Sequence, residues 1–205
     1  METAVNLVQD AAPILGERVL VLGQGVVGLL TASLLREFPL ERLVTADCYP
    51  LRRDSSPVAS PSSLDPYSPD FQKQALALLD PGADLTFELS GRPETLNDAL
   101  ALTRFCGRII IGSWYGEKRA EIDLGGAFHR SRIKLISSQV STIAPELSGR
   151  WDKARRSDVA WKALERLKPE KWITHRFPIE VAEQAYQLLD ENPQETVQVT
   201  INYHT

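Results

Sequence analysis

The feature that most constrains this chain is a three-glycine turn set between an apolar strand and a helix. The run Arg18-Val-Leu-Val-Leu22 is continuously apolar, as expected of a strand buried on both faces. Gly23-Gln24-Gly25-Val26-Val27-Gly28 follows it directly, and residues 26–37 carry a helical pattern that Pro39 stops. Each glycine has its own physical task. Gly23 permits a tight exit from the strand, Gly25 leaves no side chain between the backbone and an approaching phosphate, and Gly28 lets the helix lie close to the strand. The free N–H groups and the dipole at such a helix N-terminus favour a phosphate charge. A second strand, Leu43-Val-Thr-Ala46, ends on Asp47, where a carboxylate can accept hydrogen bonds from ribose hydroxyls. Strand, turn, helix, strand and acid in this order point to a dinucleotide site. Two other readings stay open: a tight turn with Asp47 merely capping a loop, and a methyltransferase, which shows a similar first turn and acid.

The rest of the chain alternates apolar strands with amphipathic helical stretches, which predicts an α/β, doubly wound parallel sheet of the Rossmann type. Residues 71–79 read as a helix, Asp84-Leu-Thr-Phe-Glu-Leu89 as a strand, and residues 93–105 as a helix with proline in its first turn. Arg108-Ile-Ile-Ile111 and Ile133-Lys-Leu-Ile136 read as strands, and residues 152–167 as a helix. Residues 54–69 are rich in Ser, Pro and Asp and read as an extended loop. The tail reads as strand (173–177), helix (181–189) and an alternating strand, Thr196-Val-Gln-Val-Thr-Ile201. Alternation implies one wet face, so residues 171–205 are expected as a peripheral strand-helix-strand segment beside a dinucleotide-binding domain at 1–170.

Composition narrows the partners. A net charge of -4 gives no basic footprint for nucleic acid, and no apolar run reaches the roughly 18 residues that span a bilayer. The chain's start lacks the basic and apolar stretches of a secretory signal. Two cysteines outside any CxxC pair make no disulfide framework, and a reducing cytoplasm is expected.

On these residues the chain resembles the coenzyme-binding half of the medium-chain dehydrogenase/reductase family, the zinc alcohol dehydrogenase-like enzymes. The resemblance spans essentially the whole chain. It rests on Gly16-Glu-Arg-Val-Leu-Val-Leu-Gly-Gln-Gly-Val-Val-Gly28, Phe87-Glu-Leu-Ser-Gly-Arg-Pro93, Gly107-Arg-Ile-Ile-Ile-Gly112 and Ile173-Thr-His-Arg-Phe-Pro-Ile179. It implies hydride transfer between a hydroxyl compound and a nicotinamide dinucleotide, with Ser90, Gly91, Gly112 and Ser113 near the nicotinamide. Met1-Glu-Thr-Ala-Val-Asn resembles the helix that leads from the family's catalytic domain into its coenzyme domain. That catalytic domain, with its zinc ligands, is expected to be missing, so the chain would be inactive alone or depend on a separate catalytic chain. No catalytic residue is assigned. Cys48, Cys106, His129, His175 and His204 are scattered without ligand spacing, so no zinc is expected here. NAD is expected over NADP because Asp47 repels a 2′-phosphate, although Arg52 and Arg53 stand close enough to attract one. The family's way of joining sheets implies a homodimer through residues 133–136 and 114–123. The Ser- and Pro-rich stretch departs from the family, which places a helix there beside the adenine. A non-catalytic nucleotide-binding or interaction module derived from such an enzyme is the alternative.

Four further readings concern individual residues or pairs. Glu88 is expected as a buried, hydrogen-bonded structural acid rather than a ligand. Trp114 and Tyr115 suit either a nicotinamide cover or packing. Cys106 is expected to pack as a small apolar residue, and Arg130 and Arg132 to form a solvated edge.

Overall fold

A computed structural model describes residues 1–203 of the chain. In order, α1 (Glu2–Ala11), β1 (Arg18–Leu22), α2 (Val26–Leu35), β2 (Arg42–Ala46), α3 (Pro50–Asp54) and β3 (Ser63–Leu64) form the first half. They are followed by α4 (Phe71–Leu79), β4 (Ala83–Glu88), α5 (Thr95–Leu102), β5 (Thr103–Ile111), β6 (Lys134–Ser137) and α6 (Lys153–Leu167). The tail adds β7 (Ile173–Pro178), α7 (Ala182–Glu191) and β8 (Gln198–Asn202).

The apolar run at β1 fails to alternate because both of its faces are covered. Val19 and Val21 pack with Leu7 and Ala11 of α1 and Leu35 of α2. Leu20 and Leu22 turn the other way, into a cluster with Phe71, Ala75 and Leu79 of α4 and Leu96 and Leu100 of α5. Each such large side chain removed from water contributes about 1.5–3 kcal/mol, so this two-sided burial is what fixes β1 at the centre of the sheet.

Six parallel strands run in the order β3-β2-β1-β4-β5-β6. The order reverses between β1 and β4, and in open α/β sheets ligands bind in the crevice at such a switch point, outside the carboxyl ends of the strands. The tail forms its own two-stranded parallel sheet, β7 with β8. It is anchored through Trp172 and Val197, which join the cluster of Ala4 and Val5 of α1 with Leu29 and Leu30 of α2. Among the described residues no helix is long and apolar enough to cross a membrane.

The structure corrects three expectations. Residues 54–69 are not loop throughout: Ser63 and Leu64 pair with Thr45 and Ala46 of β2, and Leu64 enters the core. The helix expected over residues 93–105 stops at Leu102, where Thr103 begins β5 and its hydroxyl donates to the Ala99 carbonyl at 2.7 Å. Cys106 does not pack as a small apolar residue. It is exposed, at a left-handed φ of 59°, beside an irregularity in the β4–β5 pairing between Ala83 and Leu85.

Candidate functional site

The three glycines sit at the switch point, and the surroundings of each account for the missing side chain. Gly23 leaves β1 at φ +96°, and a Cβ there would lie 2.5 Å from the Leu89 carbonyl oxygen at the end of β4. A Cβ on Gly28 would lie 1.9 Å from the Gly23 oxygen, so this glycine is what lets α2 sit against the turn. Gly25 is different. Its φ of -64° suits any residue, and nothing lies within 4 Å of where its Cβ would project. The protein therefore gives no internal reason for a glycine at 25, whereas a ligand approaching the backbone would. No side chain caps α2 at Gly25, so the first-turn amides, those of Val26 and Val27 among them, keep free N–H groups.

Asp47 is buried at the end of β2, 6% exposed. Its Oδ2 accepts the Gln24 N–H at 2.7 Å and its Oδ1 the Tyr49 N–H at 2.9 Å. The loop-capping role is thus real, but two backbone bonds leave lone pairs free on a carboxylate with about four acceptor sites. Gln24 folds inward: its Nε2 donates to the Gly23 oxygen at 2.9 Å, while its buried Oε1 has no partner.

A cleft of about 450 Å³ opens beside this turn, lined by Gly23, Gly25, Asp47, Tyr67, Ser90 and Arg92 among others. A larger hollow of about 540 Å³, walled by Asn97, Leu100 and Asp123, lies between α5 and the 121–127 segment. It contains none of the glycines at the switch point. Cys48 also faces the cleft; burial first, then the Asp47 carboxylate, push its thiol above the usual range.

On the other side of the switch point the ends of β4 and β5 are bound together. The Gly91 N–H donates to Ser113 Oγ at 2.9 Å, and Lys118 Nζ donates to the Gly91 oxygen at 3.0 Å. A Cβ on Gly112 would strike Leu7 of α1 and Leu89. Ser90, Gly91, Gly112 and Ser113 are therefore neighbours, at the carboxyl ends of β4 and β5. Glu88 is wholly buried and accepts from the Ser90 N–H at 2.9 Å, from the Ser90 hydroxyl, and from the Tyr115 hydroxyl at 2.5 Å. Burial, reinforced by the Glu88 hydrogen bond and charge, holds the Tyr115 phenol far above its usual range. Tyr115 is thus tied down as a neutral donor, while Trp114 beside it is 90% exposed.

Sequence reading passed over two wall residues. Arg92 donates to the Tyr67 hydroxyl and lies 5.7 Å from the centre of its ring, joining the loop before α4 to the loop after β4. Arg92 had a signal, standing directly after Gly91; Tyr67 had none, being a lone aromatic in a polar stretch. Arg52, which also lines the cleft, and Arg53 already hold partners within the protein. Arg52 donates to the Thr196 and Pro193 oxygens, each at 3.1 Å, and Arg53 to the Asp47 oxygen at 2.8 Å, with Asp65 at 3.2 Å. Arg130 and Arg132 are exposed. Among the described residues no three His, Cys, Asp or Glu side chains gather where they could hold a metal ion, and His204 lies outside those residues.

No family model matches the chain. It is 26% identical over 205 residues to L-galactonate-5-dehydrogenase of Escherichia coli K12, a match covering 98% of this chain and 56% of that protein. A zinc-type alcohol dehydrogenase-like protein of the same organism is 28% identical over 183 residues, covering 84% of this chain and 46% of that protein. A solved structure described as a short chain alcohol dehydrogenase from Escherichia coli CFT073, complexed with NADH, superposes with a TM-score of 0.73 at 20% identity. That match covers 97% of this chain and 56% of that one, and shows the shared fold. The chain spans about half the length of these curated relatives. It is similar, along its length, to the coenzyme-binding half of zinc-type alcohol dehydrogenases of the medium-chain dehydrogenase/reductase family.

Proposed function

We propose that this chain binds NAD(H) in the cleft at the switch point and is the coenzyme half of a zinc alcohol dehydrogenase-like oxidoreductase. The observation that carries this reading is Gly25: a glycine with ordinary φ and open space beside it, at the uncapped N-terminus of α2. A pyrophosphate over residues 23–28 accounts for both, taking the free N–H groups and using the space. Asp47 then receives the adenosine ribose hydroxyls, and the nicotinamide half lies toward Ser90, Gly91, Gly112 and Ser113. The bound nicotinamide accepts or donates a hydride to a hydroxyl or carbonyl compound; the protein binds and orients it. No step through a metal is assigned to this chain.

NAD is favoured over NADP on two grounds. Asp47 repels a 2′-phosphate, and Arg52 and Arg53, the cations that follow it in sequence, already hold backbone oxygens. Residues 1–170 act as the dinucleotide-binding unit, and two copies join through the edge strand β6 and the 114–123 segment in an isologous contact. Titrating NADH and NADPH separately, followed by nicotinamide fluorescence, tests the reading. NADH saturates one site per chain and binds more tightly than NADPH; tighter NADPH binding overturns the cofactor choice, and binding of neither overturns the reading.

A further inference from the structure

Arg156 is the largest fully buried side chain of the described residues, 1% exposed, and the proposed chemistry makes no use of it. All five of its N–H donors are engaged. Nε and Nη2 donate to Glu2 Oε1 at 3.1 and 2.8 Å, Nη1 to Asn6 Oδ1 at 2.5 Å and to the Thr142 oxygen at 2.9 Å, and Nη2 also to the Val140 oxygen. Asn6, itself 2% exposed, continues the network: its Nδ2 donates to Asp10 at 2.9 Å and to Ser138 Oγ at 3.0 Å, and the Ser138 hydroxyl donates to Asp10 at 2.6 Å.

What this network grips is informative. Residues 138–152 run from the end of β6 to α6 without helix or strand, so no backbone ladder sets their path. Beyond Ser138, whose N–H reaches the Ile111 oxygen at 3.0 Å, the guanidinium holds the carbonyls of Val140 and Thr142. The same side chain holds Asn6, next to Leu7, and Leu7 is the residue that packs on Gly112. In a sheet of this order the two halves of a dinucleotide lie on opposite sides of the switch point. The adenosine half falls over β1–β3 and the nicotinamide half over β4–β6. Arg156 therefore braces the nicotinamide side directly, through the carbonyls that follow β6, and reaches the glycine turn only at one remove, through the packing of α1 on α2.

Resting on the NAD(H) reading above, we infer that Arg156 is a positioning residue for the nicotinamide half of the cofactor, fixing the 138–142 segment and α1 around it without touching the ligand. Removing the guanidinium frees two backbone carbonyls and leaves Asn6 short of a donor, while it takes away no direct contact at residues 23–28 or Asp47. A purely structural role would weaken both halves of the site alike, or neither.

The test compares NADH with ADP-ribose, which lacks the nicotinamide, by calorimetric titration of the full chain. Arg156→Gln weakens NADH roughly tenfold, the worth of about one well-made hydrogen bond, and leaves ADP-ribose within about twofold; Arg156→Lys falls between. Ser138→Ala, which cuts the network at its rim and keeps the guanidinium, shifts the ratio the same way and decides the matter if Arg156→Gln fails to fold. An unchanged NADH to ADP-ribose ratio in these variants overturns the inference. Failure of wild-type protein to bind either ligand instead overturns the NAD(H) reading on which it rests.

Discussion

Replacing Gly25 by valine separates a glycine kept for a ligand from one kept for the fold, and Gly28→Ala is its counterpart. At Gly25 the backbone is at an ordinary φ and the added atoms meet nothing within 4 Å at the Cβ. The only structural cost is a poorer N-cap, about 1 kcal/mol, which for a chain of this size lowers Tm by about 2–4 °C. The methyl groups nevertheless occupy the approach to the free amides of α2. Losing one or two charge-assisted N–H to phosphate bonds, at about 1.5–3 kcal/mol each, weakens NADH by at least about tenfold. At Gly28 the balance reverses. A Cβ 1.9 Å from the Gly23 oxygen forces α2 away from the turn, at about 3 kcal/mol or more, a fall in Tm of about 6–12 °C. Thermal unfolding and NADH titration on both variants read the two effects separately. Undiminished NADH binding by Gly25→Val, or wild-type stability in Gly28→Ala, refutes the reasoning.

Three other outcomes follow from the proposed function and the structure. Asp47→Ser lowers the preference for NADH over NADPH by at least about fivefold, the ~1 kcal/mol repulsion of two charges at ~4 Å in water; competitive titration checks this, and an unchanged preference contradicts it. Because the Tyr115 pKa is raised in the folded chain, by burial and then by Glu88, its contribution to stability is full below the usual tyrosine value of 10.0 and is lost as pH rises above it. Chemical unfolding across alkaline pH shows a steeper loss for wild type than for Tyr115→Phe, and parallel curves contradict it. Light scattering at micromolar concentration gives twice the 22.8 kDa chain mass; a concentration-independent mass of one chain refutes the dimer.

How much of this was legible in the sequence depended on whether the signal was local. β1, the glycine turn and Asp47 were readable because a strand buried on both faces, a positive-φ exit and a close helix contact each demand particular residues at fixed positions. β3 was not. Ser63 and Leu64 are strand only because the edge of β2 accepts them, and nothing in a Ser- and Pro-rich stretch announces a partner 18 residues away, counted from Thr45 to Ser63. The boundary of α5 was hidden by apolar spacing that continues through Phe105, while the backbone changes at Thr103 under a tertiary pairing of its hydroxyl with that of Thr86 at 2.7 Å. Arg156 follows Arg155 in a helical stretch and carries no local signal of burial. Its burial depends on Glu2 and Asn6, some 150 residues away, and on carbonyls in a segment without periodicity. The free space at Gly25 and the engagement of Arg52 and Arg53 also needed coordinates, because the sequence records which side chains are present and not which of them are already occupied.

Amide hydrogen exchange with and without saturating NADH tests the central claim most directly. The cofactor slows exchange at the first-turn amides of α2, residues 25–28, and around residues 47–49 and 90–92, with no change at the opposite end of the sheet around Phe105 and Cys106. Unaltered exchange at residues 25–28 under saturating NADH, or protection confined to the hollow beside Asn97 and Asp123, contradicts it.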